Sequence, residues 1–409
     1  MARRNVVVGL DIGTTKTVVL VGEVAPNGRV YIIGVGEAPS RGLRKGAIVD
    51  IEDTVRSIDQ AVEKAEHMSG VEVDRVMVAV SGSHLNSLNN RGVVAVAGPG
   101  REITSVDVER VLYNTRMIVV PPERRIVHVL PRQYIVDGYD SIRDPVGMIG
   151  VRLEVEAHII TASSTYLQNL VKCVEKAGLR VETLVVNPMA AAEASVLPEE
   201  KELGVLLVDI GGGTTDMALF EKGSLWLTSG LPLGGDHITS DLAVGLRTTL
   251  LEAERVKREY GCVLMELISG NESVMITNVG SREVNQITRR NIVEVIQPRV
   301  QEILMLVREA ILRSGYQGAL PGGCVLTGGT ALLAGMKELA QDELQLPVRI
   351  GYPEGLGGLV DVAHSPQFST VAGLVLQAAK QFQVVIVAEA DPLLGGIWGK
   401  LKSWWKELA

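Results

Sequence analysis

Aromatic residues are scarce: Trp, Tyr and Phe make up 4% of the 409 residues, so the places where they concentrate carry information. Cysteine is scarcer still. Cys173, Cys262 and Cys324 are far apart, odd in number and without CxxC or histidine spacing, which argues against a disulfide scaffold or a zinc site and predicts reduced thiols in an intracellular protein. Positive charge has no surplus either, since 40 Lys and Arg against 48 Asp and Glu give a formal net charge of -8. Broad nucleic-acid binding needs a basic surface to displace counterions from phosphates, so no nucleic-acid partner is expected. Long apolar runs are missing as well. The opening "MARRNVVVGLDIG" is broken at Asp11, short of a signal-peptide core, and no stretch reaches the ~20 apolar residues needed to cross a bilayer. These absences predict a cytoplasmic chain without a transmembrane helix.

What is present is hydrophobic: 46% of residues are apolar and 22% charged, enough for two or three well-buried globular domains. Residues 6 to 20, "VVVGLDIGTTKTVVL", read as strand, tight turn, strand, and residues 205 to 219, "VLLVDIGGGTTDMAL", read the same way. Each strand ends in Asp-Ile-Gly and each turn reaches a Thr-Thr pair, the second after two extra glycines. Two such turns predict one internal duplication.

Glycines let the backbone turn sharply and present consecutive N–H groups to phosphate oxygens. Gly13 and Gly211, Gly212 and Gly213 are the candidates. The hydroxyls of Thr14, Thr15, Thr214 and Thr215 add donors, Lys16 could place a positive charge on a phosphate, and Asp11 and Asp209 are suited to a hydrated Mg²⁺. A third stretch, "GGCVLTGGTALLAGMKELAQDEL" (322 to 344), reads as buried strand, Gly-Gly turn and helix. Gly328 and Gly329 there would let a base or ribose lie against bare backbone.

Hairpin "DIGTT", hairpin "DIGGGTTD" and turn "LTGGTA", in that order, resemble the actin, Hsp70 and sugar-kinase superfamily. The resemblance implies an α/β, actin-like, duplicated two-domain ATPase fold that closes on ATP or ADP with Mg²⁺. It implies phosphate contacts from the glycines and threonines of both turns and adenosine contacts from Gly328, Gly329 and Thr330. "NPMAAAEASVL" (187 to 197) matches the small-residue helix where the halves pack. Glu254 and Lys257 of "AERVKREYG" match a segment that reaches ribose and base, although a solvated helix ion pair explains them equally well. Asn187 stands where these ATPases commonly carry Gln or Glu to position the attacking water, so hydrolysis is expected to be slow, with Asp209 the remaining base or metal ligand.

Residues 84 to 162 carry strand and helix signals of their own and are similar to the small SHS2-type α+β domain inserted in the bacterial cell-division FtsA family. The resemblance divides the chain into a first actin-like domain (1–83, 163–200 and 355–381), the insert, a second actin-like domain (201–235 and 304–354), a smaller subdomain (236–303), a linker (382–394) and a terminal helix (395–409). It implies self-association into filaments and recruitment of later division proteins. It also implies anchoring of the tubulin-like protein FtsZ, whose C-terminal peptide would bind the 236–303 subdomain. Arg289 and Arg290 could meet acidic groups of that peptide; a solvated helix face is the equal alternative.

The terminal helix "GGIWGKLKSWWKELA" holds three of the four tryptophans. At about 100° per residue, Ile397, Trp398, Leu401, Trp404, Trp405 and Leu408 fall within about 120°, with Lys400 and Lys402 at the borders and Lys406 farther around. That pattern suits an interfacial helix on anionic lipid at the cytoplasmic side of the membrane, as the resemblance also implies. Docking on the protein's own core is the alternative. Six apolar side chains at about 1.5 to 3 kcal/mol each, partly buried and opposed by ordering, give a reversible single-copy anchor that assembly would strengthen. The linker before it spans at most roughly 45 Å when extended, and its apolar "VVIVA" (384 to 388) would be a strand or pack on the body. Rival readings are a PilM-type pilus-assembly homologue, which lacks such a tail, and a sugar kinase, whose substrate-binding insertion is not found.

Overall fold

A computed structural model describes residues 5–97, 99–269, 272–279 and 284–390. The chain opens with the β-branched strands Val6–Ile12 (β1) and Lys16–Val24 (β2), followed by Val30–Pro39 (β3). They form an antiparallel meander in which Ile12 faces Thr17, leaving a four-residue turn. The helix Ile51–Ser69 (α1) starts where Asp50 accepts the Asp53 N–H at 2.9 Å and stops at Gly70 in the left-handed region. Its apolar stripe, including Val55, Ile58, Ala61 and Ala65, is buried. Arg75–Val80 (β4) then pairs in parallel with β1.

The insert follows as Asn86–Ala95 (β5), Ser105–Arg116 (α2), Arg124–Val136 (β6), Tyr139–Ile142 (β7) and Arg152–Ser163 (β8). Its antiparallel sheet has the order β5-β8-β6-β7. It has a small core of its own in which Val94, Val111, Tyr134, Val136, Leu153 and Val155 meet. The chain returns to the first domain through Ser164–Lys176 (α3) and Arg180–Val186 (β9), the latter parallel to β4.

Asn187–Ser195 (α4) separates the halves. Its alanines are buried on every side, which is why its sequence shows no apolar stripe. The second half repeats the first: Val205–Ile210 (β10), Thr215–Glu221 (β11) and Ser224–Leu231 (β12) make an antiparallel meander. Gly235–Gly245 (α5), Leu250–Tyr260 (α6), the hairpin Ser273–Thr277 (β13) with Val284–Thr288 (β14), and the long helix Arg289–Arg313 (α7) come next. Cys324–Thr327 (β15), Met336–Leu344 (α8) and Val348–Ile350 (β16) complete that domain, and Leu356–Gly358 (β17) joins the first sheet.

Sheet order makes the duplication explicit. The first sheet runs β9-β4-β1-β2-β3-β17 and the second β16-β15-β10-β11-β12, so meander and parallel neighbours occupy matching places. Register corrects one detail of the sequence reading. Ile210 faces Thr215 as Ile12 faces Thr17, so both turns have four residues and nothing is inserted. Gly212 and Gly213 occupy the places of Thr14 and Thr15, and Thr215 is the counterpart of Thr17.

The last described helix, Ser369–Ala390 (α9), packs on α4 and the first sheet. It corrects the linker expectation: residues 382–390 continue this helix, so "VVIVA" is helical and not a strand. No Gly or Pro interrupts "LVLQAAKQFQVVIVAEA", the run that follows Gly373, which leaves the helix no local reason to stop earlier. Cys173, Cys262 and Cys324 are buried free thiols. Among the described residues no helix is long and apolar enough to cross a membrane.

Candidate nucleotide site and partner groove

The two glycine turns face each other across the halves. Each is closed by one bond, Gly13 N–H to Lys16 O at 3.0 Å and Gly211 N–H to Thr214 O at 2.9 Å. Among the described residues nothing takes the N–H groups of Thr14, Thr15, Gly212 and Gly213. A Cβ on Gly212 would overlap Thr15 Oγ1, and one on Gly213 would overlap Thr14 Oγ1. The threonine pair of one turn therefore rests on the glycine pair of the other. Thr15 Oγ1 also reaches Asp236 Oδ1 at 3.3 Å, and Thr14 Oγ1 accepts the Gly46 N–H at 3.1 Å.

The second threonine pair is differently employed. Thr214 Oγ1 donates to Asp216 Oδ2 at 3.1 Å, and Thr215 Oγ1 donates to Leu233 O at 2.9 Å. Both hydroxyls hold the hairpin together and neither is free for a phosphate, because the four-residue turn puts the glycines at its tip. Lys16 also differs from expectation. Its Nζ lies 3.0 Å from Glu37 Oε2 and 3.9 Å from the Phe368 ring centroid, and burial lowers its pKa despite the Glu37 partner. It meets a phosphate only by leaving that pair.

Behind the turns lie Asp11, Asp209 and Asp216. Burial pushes Asp209 up to about 7, with the charges of Asp216 and Asp11 adding to it. Asp11 and Asp216 are each raised to about 6, mainly by burial; Lys16 opposes the rise at Asp11, and the Gly82 N–H opposes it at Asp216. Three mutually repelling acids in one place form a site short of positive charge. Among the described residues no group of three or more His, Cys, Asp or Glu side chains has metal-holding geometry. Mg²⁺ usually keeps several waters and takes one or two carboxylates plus phosphate oxygens, and these acids fit that role.

Asn187 opens α4 inside this cluster. Its Nδ2 donates to Asp216 Oδ2 at 3.2 Å, and its Oδ1 accepts from Thr370 Oγ1, which also lies 3.0 Å from Asp209 Oδ2. Both ends of the amide are thus occupied. Asp216 and Thr370 are additions to the sequence reading. Asp216 stands in the quoted motif "DIGGGTTD"; Thr370, far along the chain, has no local signal.

The opposite wall is built from the third glycine turn. Gly328 has φ +84, and a Cβ there would overlap Asp209 Oδ1, so strand β15 can approach β10 only with glycine at its end. Thr330 Oγ1 donates to Gly211 O at 3.0 Å. Lys257 is buried, with Nζ 2.6 Å from Glu254 Oε2, 2.8 Å from Thr239 Oγ1 and 3.0 Å from Gly235 O. The ion pair exists, but it lies under Gly235 and beside Thr330, not on a solvated face.

A groove of about 410 Å³ in the smaller subdomain is lined by residues including Arg247, Asn278, Asn285, Asn291 and Glu294. The buried Asn278 Oδ1 there has no partner among the described residues. The two arginines expected at a partner site separate. Arg289 is held by Glu272 at 2.8 Å and by Tyr260 O at 2.9 Å, whereas the exposed Arg290 pairs at 3.2 Å with Glu294 of the groove. Ile397, Trp398, Lys400, Leu401, Lys402, Trp404, Trp405, Lys406 and Leu408 lie outside the described residues.

A family model described as "Cell division protein FtsA" matches residues 206–373, and one described as "SHS2 domain inserted in FTSA" matches residues 82–161. FtsA of Pseudomonas aeruginosa is 42% identical over 372 residues, covering 91% of this chain and 89% of the relative. The chain belongs to the FtsA family of cell-division proteins. FtsA of Bacillus subtilis is 44% identical over 384 residues, 94% of this chain and 86% of the relative. FtsA of Escherichia coli K12 is 39% identical over 412 residues, 98% and 97%. Solved structures similar in fold include PilM in the PilM-PilN type IV pilus biogenesis complex, with TM-score 0.66, 20% identity and 91% and 98% coverage. MreB 5 of Spiroplasma citri bound to AMPPNP has TM-score 0.56 and 16% identity over 95% and 99%. These show an actin-like fold. The FtsA relatives' higher identity favours a cell-division protein over the PilM-type reading.

Proposed function

We propose that this FtsA-family chain binds ATP or ADP with Mg²⁺ between its halves, assembles into filaments on the inner face of the membrane at the division septum, and anchors FtsZ there. The observation that carries the reading is the set of N–H groups at Thr14, Thr15, Gly212 and Gly213, unpartnered among the described residues, in front of the half-buried Asp11 and the buried Asp209 and Asp216. Thr14, Thr15, Gly212 and Gly213 would hold phosphates, with Gly13 and Gly211 closing the turns behind them, and Asp11, Asp209 and Asp216 would hold the hydrated cation. The cation would supply positive charge to phosphate oxygens and to the acids together. Glu254, Lys257, Gly328, Gly329 and Thr330 would form the adenosine side.

Turnover should be weak, because the Asn187 amide is spent on Asp216 and Thr370 and an amide is not a base. Two of the fold neighbours support nucleotide binding and assembly in this fold: MreB 5 is bound to AMPPNP, and MamK forms a double helical filament. The groove, lined by Arg247 and by Glu294, whose partner is the exposed Arg290, would receive an extended peptide such as the FtsZ C-terminus, with the two arginines meeting its acidic groups. The insert would be the docking place for later division proteins.

The tail would supply attachment through its tryptophan face and lysines to anionic lipid. Co-sedimentation with anionic liposomes and Mg-ATP, comparing the full chain with one lacking residues 395–409, tests the anchor. The full chain should pellet and the shortened one stay in solution. Equal pelleting of both would end this reading.

A further inference from the structure

The insert leaves the first domain after β4 and rejoins it at α3, yet it docks on the second. Ser87 Oγ donates to Thr228 O at 2.7 Å and accepts the Thr228 N–H at 3.1 Å, so one side chain caps both main-chain groups of a residue on edge strand β12. Asn89 Nδ2 donates to Trp226 O at 3.0 Å. The buried His158 ring bridges Asn89 Oδ1 at 2.8 Å and Thr228 Oγ1 at 3.1 Å. Arg132 stacks on Trp226 at 4.1 Å, its carbonyl accepts from Ser224 Oγ at 3.0 Å, and its guanidinium reaches Glu221 at 3.3 Å.

Toward the first domain the hydrogen bonds are fewer and the attachment is apolar: Val127, Ile160 and Ala162 at the base of the insert are buried with β4 and α3, and the His84 ring lies 3.8 Å from that of Tyr166. Gly82 has φ +116, a conformation that only glycine adopts without strain, and its N–H makes a single bond to Asp216 Oδ1 at 3.1 Å. Two residues on, neither ring nitrogen of His84 has a hydrogen-bond partner among the described residues. Arg124 ties the two connecting strands to each other through His84 O at 2.8 Å and Thr161 O at 2.9 Å, so they move as one joint. The insert's bond toward α4, Val186 N–H to His128 Nε2, is long at 3.4 Å.

The two glycine turns touch, so phosphates entering between them must part the halves. We infer that the insert travels with the second half when this happens, swinging relative to the first half about a joint at Gly82. The inference rests on the nucleotide reading above. It makes the insert's position, and therefore any surface it offers to a partner, a readout of nucleotide state. The Gly82 to Asp216 bond is the trigger, because Asp216 is one of the acids that a bound cation would engage.

The three native cysteines are buried, so spin labels can be put on exposed positions: Met68→Cys in the first half, Tyr113→Cys in the insert and Leu312→Cys in the second half. Double electron–electron resonance on the three pairwise-labelled proteins, with and without Mg and the fluorescent analogue mant-ATP, reads the motion directly. The distance from insert to first half should shift on adding nucleotide, and the distance from insert to second half should stay fixed. In the Ser87→Ala, Asn89→Ala variant the second distance should broaden. A fixed insert-to-first-half distance while mant-ATP fluorescence reports binding overturns the inference alone. Absence of mant-ATP binding overturns the nucleotide reading on which it rests.

Discussion

Asp216 and Gly82, separated by 134 positions in sequence, are joined by a 3.1 Å hydrogen bond from the Gly82 N–H to Asp216 Oδ1. The other carboxylate oxygen accepts from Thr214 Oγ1 and Asn187 Nδ2. One buried side chain thus holds the insert joint, the second hairpin and the helix between the halves. Asp216→Ala leaves these donors unpaired at about 1 to 3 kcal/mol each, while removing the desolvated acid recovers part of the loss. A net destabilisation of about 2 kcal/mol in urea unfolding is expected. Asp216→Asn keeps one acceptor and should lose about half as much; an Ala variant as stable as wild type contradicts the account.

Asp209 sets a pH dependence with a definite sign. Its pKa is raised from 3.8 to about 7, so between those values the folded chain holds a proton that the unfolded chain has released. This group favours folding at low pH, and that advantage is lost as pH rises through 7. Asp209→Asn removes the penalty. Its stability relative to wild type should rise from near zero at pH 4 to a plateau above pH 7, on the order of 4 kcal/mol. His128 and His158, lowered by burial to about 4 and about 3, act in the opposite sense in both proteins and cancel in the difference. A difference that does not vary with pH would falsify the shift at Asp209.

The duplication and the third glycine turn were legible because each depends on a contiguous run, a buried strand followed by a glycine turn. The pairing of Thr14 and Thr15 with Gly212 and Gly213 was not, since matching by residue type aligns threonine with threonine. Register, which follows the strand pairs, aligns threonine with glycine. Arg289 and Arg290 are neighbours with the same side chain, and no sequence rule separates them; the partners Glu272 and Tyr260 come from distant segments. Thr370 was silent for the same reason. The helical run through 382–390 was missed because an apolar "VVIVA" reads equally as strand, and its attachment to a packed helix decided the matter.

Gly373 of α9 lies directly against α4, where a Cβ would overlap the Ala190 carbonyl. Alanine is better than glycine within a helix by about 1 kcal/mol, but overpacking two backbones costs roughly 1 to 3 kcal/mol or more, and a carbonyl in a helix cannot rotate away. The clash should win. Gly373→Ala is expected to lower the thermal midpoint, with nucleotide affinity falling alongside because α4 carries Asn187; a raised midpoint shows that the helices can part freely.

The two arginines give the sharpest test of the proposed peptide groove. Arg289 is three-quarters buried on Glu272 and the Tyr260 carbonyl, so Arg289→Glu should destabilise the fold by about 1 to 2 kcal/mol, chiefly through the orphaned acceptors. Arg290 is 60% exposed and faces Glu294, and exposed pairs contribute little to stability. Arg290→Glu should therefore leave the unfolding curve unchanged while weakening binding of an FtsZ C-terminal peptide about tenfold, the effect of losing roughly 1.4 kcal/mol. Glu294→Gln releases Arg290 from its partner and removes a like charge from an acidic ligand, so affinity should rise severalfold. Fluorescence anisotropy with a labelled peptide measures all three. Equal affinity in Arg290→Glu and wild type would move the peptide away from this groove, whatever Arg289→Glu does to stability.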